Sequence, residues 1–189
     1  MSGPGAANEK GLRLRVEKVL SDFYRGPCRV VRFRHRPAEF SSSYPIEEIS
    51  LELEDGTFWI GERTSNRKGL IHFDAKGKKI LERIGSVEKD PGPGKSVGEK
   101  LSHPYPWALA QTSDGSIWVG TGSPGPQNGG LNRIRPGSDE ITIFRHDPDD
   151  DASLPNNWIF KLLPDGNDRL WINTGNGLAF IDPLTEEIR

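Results

Sequence analysis

Asp55-Gly56-Thr57-Phe58-Trp59-Ile60-Gly61, Asp114-Gly115-Ser116-Ile117-Trp118-Val119-Gly120-Thr121 and Asn167-Asp168-Arg169-Leu170-Trp171-Ile172-Asn173-Thr174 are three copies of one phrase. Each leads to a Gly-Leu pair that opens a second apolar run: Gly69-Leu70-Ile71-His72-Phe73, Gly130-Leu131-Asn132-Arg133-Ile134 and Gly177-Leu178-Ala179-Phe180-Ile181. The tryptophans stand 59 and then 53 residues apart. A period of roughly fifty residues is that of an array of supersecondary units. Asp-Gly ahead of a Trp-rich strand marks a tight hairpin turn, because Gly accepts the positive φ that such a turn needs. Asp168 stands where the other copies have Gly, so a looser turn is expected in the third copy.

Each unit extends in both directions. Upstream of each Trp lies an inner run: Pro45-Ile46 through Leu53, Pro106-Trp107 through Gln111, and Asn157-Trp158 through Leu163. A second phrase, Phe33-Arg34-His35-Arg36-Pro37 and Phe144-Arg145-His146-Asp147-Pro148, precedes two of these runs. Phe33 leads Trp59 by 26 residues and Phe144 leads Trp171 by 27, so the two phrases keep one register. One unit reads as four short strands separated by Gly, Pro, Asn and Asp clusters, which is the signature of all-β structure. Four antiparallel strands per repeat make the blade of a β-propeller. The expected fold is an all-β, partial β-propeller of four-stranded antiparallel blades, about three of them present. Residues 1–10 form a disordered N-terminal segment in this reading, and 11–189 an incomplete propeller. Its parts are a partial blade 11–36, blades 45–84 and 106–146, and a partial blade 157–189.

Asp-Gly, two residues, Trp-Ile-Gly-Thr, a loop and Gly-Leu together resemble the two-component regulator propeller repeat. The stretch His146-Asp147-Pro148 through Ser153-Leu154-Pro155-Asn156-Asn157 is similar to that family's connection between blades. The first copy departs from the pattern, with Glu62 where Thr is usual and a basic loop after it. The resemblance implies a propeller, usually many-bladed and extracytoplasmic, serving as the sensory part of hybrid histidine kinases and related regulators. It implies a signalling domain and further blades as partners. Streptogramin lyase, a propeller of related appearance, supplies the enzymatic alternative, and a protein-binding scaffold is the third reading.

Bulk properties agree with a folded repeat. The 189 residues are 33% hydrophobic, with 22 Gly and 15 Pro, and the five Trp and eight Phe supply core mass where such a composition otherwise means disorder. Because the array begins and ends within a repeat, a fragment of a longer chain is expected, with self-association through open edges as the alternative. Residues 1–11 hold no apolar stretch of the signal-peptide kind and no segment reaches a membrane span. The chain as it stands is therefore expected in the cytoplasm, whereas the resemblance implies the periplasm or cell exterior. Cys28 is alone, so it forms no intrachain disulfide. Residues 1–40 carry nine Lys/Arg against four Asp/Glu, and 139–189 four against eleven. The alternation Val31-Arg32-Phe33-Arg34 reads as a strand showing its arginines to water, and the net charge of −2 supplies no field for nucleic acid.

The repeated residues Asp55, Gly56, Trp59, Gly69, Asp114, Gly115, Trp118, Gly130, Trp171 and Gly177 read as structural, because a binding site needs such a residue once. Trp107 and Trp158 differ: each sits where a connecting loop enters an inner strand, beside Tyr105 and beside Asn156-Asn157. In a propeller those positions lie near the channel mouth, where aromatic faces with amide neighbours suit a carbohydrate or other small polar ligand. Wedging between blades is the plainer alternative. The loops after the Trp strands open on the same side, with Arg63, Asn66, Arg67 and Lys68 in the first and Gln127 and Asn128 in the second. The three cations there suit a carboxylate, sulfate or uronic acid. Residues 85–105 are expected to be a mobile surface loop. Its Pro91-Gly92-Pro93-Gly94 lacks the strand-to-helix context of a phosphate loop. Asp147 to Asp151 fail as an EF-hand, since Ala152 and Trp158 occupy the sixth and twelfth positions. His103, on a channel-side loop, is the one histidine considered as a general base, and it has no serine elbow, zinc spacing or nearby acid. No catalytic residue, metal or cofactor is expected.

Overall fold

The computed structural model describes residues 49–63, 69–76, 78–85, 92–124 and 129–189. The expected partial blade 11–36 and Cys28, Asn66, Arg67, Lys68, Gln127 and Asn128 lie outside these residues. Among the described residues every element is a β-strand, and all named pairings are antiparallel. The first sheet runs in chain order through β1 (Ile49–Glu52), β2 (Phe58–Glu62), β3 (Gly69–Phe73) and β4 (Lys79–Ile84). The second begins with β5 (Lys95–Gly98), then β6 (Pro106–Gln111), β7 (Ile117–Thr121), β8 (Gly130–Ile134) and β9 (Ile141–Phe144). Its spatial order is β5-β9-β8-β7-β6. The third holds β10 (Ile159–Pro164), β11 (Leu170–Thr174) and β12 (Gly177–Ile181). Beyond β12 the chain folds back, and Phe180 and Arg189 exchange main-chain hydrogen bonds of 2.8 and 2.9 Å.

Two features differ from the sequence reading. The second blade has five strands, because β5 pairs with the outer edge of β9. Residues 92–105 are therefore not a free loop: Leu101, Ser102 and His103 are buried. Asn132 anchors them, its Oδ1 accepting the Ser102 amide at 2.7 Å, while the Ser102 and Thr121 hydroxyls meet at 2.7 Å. Asn132 occupies a position held by Ile71 in the first copy and Ala179 in the third, so of these three copies only the second can hold such a segment this way.

The second difference is the third hairpin turn, which is not looser. Gly56, Gly115 and Asp168 take φ of 80°, 78° and 61°. In each turn the residue with positive φ donates its amide to the carbonyl three residues back, at 3.0 Å to Leu53, 2.9 Å to Thr112 and 3.3 Å to Asp165. This is the three-residue hairpin, a tight turn closed by one left-handed residue. Asp is among the few non-Gly residues that enter that region, which is how one geometry survives the replacement.

The three sheets stack as blades. β6 lies against β1 on one side and β10 on the other, which makes these the inner strands. Leu51, Trp59 and Leu70 of the first blade pack on Leu109, Ile117, Val119 and Ile134 of the second. The other face of the second blade, with Ala110, Trp118, Leu131 and Phe144, packs on Leu170, Ile172, Ala179 and Ile181 of the third. Strand alternation thus places each Trp on the face that its successor covers. Trp59 and Trp118 are buried in these seams, whereas Trp171, on the face of the third blade turned away from the second, is only half-buried.

Candidate functional site

At one end of the stack lie the end of β2, the start of β6, the end of β7 and the start of β10. The Arg63 guanidinium, just past β2, sits 4.1 Å from the Trp107 ring centroid. Trp107 and Trp158 meet edge-on at 6.1 Å, and Trp158 meets Phe160 at 4.3 Å. Three blades thus contribute to one cation–aromatic row, in which all four side chains are half-buried. The Trp107 ring is fixed by its indole N–H, which donates to the Gly122 carbonyl at 2.6 Å. The Trp158 backbone is fixed twice, by its amide donating to Asn156 Oδ1 at 2.8 Å and its carbonyl accepting from Gly175 at 2.9 Å. The Trp158 indole N–H is buried with no hydrogen-bond partner among the described residues.

The other expected ligand residues have different surroundings. Asn157 is buried and its Oδ1 accepts the His146 amide at 2.7 Å, so its amide group ties the blade connection together. His103 is only 2% exposed, and its Nδ1 accepts the Tyr105 amide at 3.2 Å. A general base must meet the proton it takes, and this burial stands against that role for His103. Tyr105 is half-buried, with its ring 5.1 Å from that of His103. Phe160 belongs to the row yet was missed in the sequence. Its cue was the spacing Trp158-Ile159-Phe160, which puts two aromatics on one face of a strand. Among the described residues no group of three potential ligands lies close enough to hold a metal.

The opposite end carries the turns, and there charge is used for structure. Asp114 Oδ1 accepts the Thr112 hydroxyl at 2.6 Å, while Oδ2 accepts from the Ser116 hydroxyl at 2.7 Å and from Arg133 Nη2 at 2.5 Å. Burial opposes ionisation, but these hydrogen bonds outweigh it and hold the carboxyl at about 2. In the third blade the carboxylate moves to Asp165, the position of Thr112. It accepts from the Trp171 indole at 2.9 Å and from the Asn167 and Arg169 amides. Desolvation is again outweighed, and Asp165 also titrates at about 2. The first blade has Leu53 at that position, and the Trp59 indole N–H has no hydrogen-bond partner among the described residues.

The fold and the repeat geometry define a stack of propeller blades. Two segments, 100–123 and 153–176, match the model of the two component regulator propeller family. The copy around Trp59 lies outside both matches. The Thr that it lacks has a visible job in the other two: Thr121 Oγ1 donates to the Gly130 carbonyl at 3.0 Å and Thr174 Oγ1 to that of Gly177 at 2.9 Å. Among curated proteins nothing matches the sequence. Among solved structures, the chain is similar to an extracellular domain described as that of a hybrid two component system, BT3049 from B. thetaiotaomicron. The TM-score is 0.55 at 18% identity, over 73% of this chain and 17% of that one. PorZ, a surface component of the type-IX secretion system of Porphyromonas gingivalis, gives a TM-score of 0.48 at 16% identity, over 74% of this chain and 20% of that one. The chain thus spans a fifth or less of the length of either structure. The likeness to the first shows the fold. No helix of the described residues is long and apolar enough to cross a membrane.

Proposed function

We propose that this chain is part of a non-catalytic, ligand-sensing propeller of a two component regulator, working outside the cytoplasm. Its ligand, a carbohydrate or other small polar molecule with an anionic group, rests on the row Arg63, Trp107 and Trp158. The observation that carries this reading is the row itself: three successive blades give side chains to a single cation–aromatic surface. Aromatic faces stack on the apolar faces of sugar rings, and a guanidinium holds a carboxylate or sulfate by charge-assisted bonds. A ligand lying across the row touches several blades at once, so its binding energy favours one blade arrangement over another. The family match supports a regulator, and the neighbouring extracellular domain supports the location. The burial of His103 favours binding over lyase chemistry.

Calorimetry with trigalacturonate, and with neutral maltotriose as the control, tests this. The acidic trimer should bind more tightly, and Trp107→Ala and Arg63→Ala should each weaken it by about tenfold or more. Binding that ignores both substitutions, or no binding of either sugar, would overturn the reading in favour of a scaffold that engages protein through its blade edges.

A further inference from the structure

Glu186 sits on the strap Asp182–Arg189 that follows β12, yet its carboxylate reaches the second blade. Oε1 accepts from Arg133 Nη1 at 2.9 Å and also from Arg135 Nη2, and Oε2 accepts from Lys95 Nζ. The three cations come from β5, from β8 and from the residue after β8, on the face of the second blade that turns to the third. Two of them are positioned by contacts that do not involve Glu186. Arg133, only 4% exposed, has Nε on Ser116 Oγ at 3.0 Å, Nη2 on Asp114 and its guanidinium 4.9 Å from the Trp118 ring centroid. Arg135 Nη1 donates to Thr142 Oγ1 at 3.2 Å. Lys95 Nζ lies 5.6 Å from the Phe144 ring centroid. Asp114 is the only other carboxylate ion-paired to these three among the described residues, so without Glu186 the cluster has a net positive charge.

Glu186 itself is in an uphill conformation, with φ of 61°. A left-handed backbone is unfavourable for a residue with a Cβ and no short polar side chain. Burial opposes its ionisation, but Lys95, Arg135 and Arg133 outweigh this and hold the carboxyl below its usual range. The left-handed residue closes the turn after β12, its amide donating to the Asp182 carbonyl at 2.7 Å, and that turn holds one anion against a ready set of donors. We propose that Lys95, Arg133 and Arg135 form an oxyanion-binding seat in the outer seam between the second and third blades. Glu186 fills it in cis, and an external oxyanion displaces Glu186 and releases the strap from β12. The seat is separate from the Arg63–Trp107–Trp158 row and does not depend on the function proposed for it.

The test uses sodium sulfate and sodium acetate as probes. Glu186→Gly vacates the seat and relieves the backbone, and Glu186→Gln, nearly isosteric, serves the same titration if the glycine variant is unfolded. By calorimetry, sulfate or acetate should bind either variant at least about tenfold more tightly than it binds the native chain. Adding Arg135→Met should remove that gain. In the native chain, sulfate should speed hydrogen exchange at the Phe180 and Arg189 amides more than chloride does at equal ionic strength, which separates displacement from screening. Tighter acetate marks a seat for carboxylates and tighter sulfate one for tetrahedral oxyanions, and both support it. Anion binding that is no tighter in the variants, or that survives Arg135→Met unchanged, overturns the proposal.

Discussion

The indole of each repeated tryptophan shows how one turn position tunes a blade. Trp118 donates to Thr112 Oγ1 at 2.9 Å and Trp171 to Asp165 Oδ2 at 2.9 Å, whereas Trp59, with Leu53 at that position, has no hydrogen-bond acceptor for its indole among the described residues. Thr112→Val keeps shape and removes the acceptor, leaving a fully buried N–H unsatisfied. We expect a loss of about 1–3 kcal/mol in chemical denaturation. Asp114 makes a prediction about acid. Its folded pKa, about 2, lies below the ordinary 3.8. The stabilisation is therefore fully present above pH 3.8 and is lost as pH falls toward 2. Because Asp114 is exposed and solvent screens its interactions, this is worth about 1 kcal/mol. Asp114→Asn should flatten the acid limb of a melting-temperature profile between pH 2 and about 5, and an unchanged limb would refute this assignment. At this scale the sequence was partly legible. Asp-Gly announced the turn, but the Trp acceptor was hidden because it is Thr in one copy, Asp in another and absent in the third.

At the scale of elements, the hairpin and the seam between blades carry the constraints. Asp168 holds a left-handed φ of 61° while exposed, with no side-chain hydrogen bond among the described residues that would reward Asp there. Asp168→Gly should stabilise the third hairpin by about 0.5–1 kcal/mol, read as a higher denaturation midpoint. Gly120 is the opposite case. A Cβ there would come within 2.5 Å of Ile159 Cγ2 and 2.9 Å of Ile159 Cβ, so the third blade must move away. Gly120→Ala should cost about 1–3 kcal/mol, as overpacking does, and a neutral result would show that the seam is looser than drawn. The strand pattern was legible because alternation and turn residues are local. The addition of β5 to β9 was not, because Lys95-Ser96-Val97-Gly98 has no apolar alternation of its own and becomes a strand only through the edge it meets.

Across the described residues the blades repeat one face-to-face packing, and among those residues nothing covers that face of the third blade. Leu131 is 0% exposed in the second blade, while Leu178, its counterpart, is 63% exposed; Leu163, the counterpart of buried Ala110, is 51% exposed. An apolar face of this kind should bind a hydrophobic dye. Replacing both leucines with Lys should reduce that fluorescence with little loss of stability, since neither side chain is packed. Equal dye binding by the double variant would mean that the open surface lies elsewhere. The sequence by itself determined the repeat, the all-β class and the two Asp-Gly turns. These follow from strand periodicity and from which residues accept a positive φ. Tertiary structure alone decided the burial of His103, the joining of Arg63 to Trp107 and Trp158, and the seating of Glu186 on Lys95, 91 residues away in sequence. The physical reason is that these contacts cross from one blade to the next. They arise from how sheets stack, and no local pattern of residue types encodes which side chains that stacking brings together.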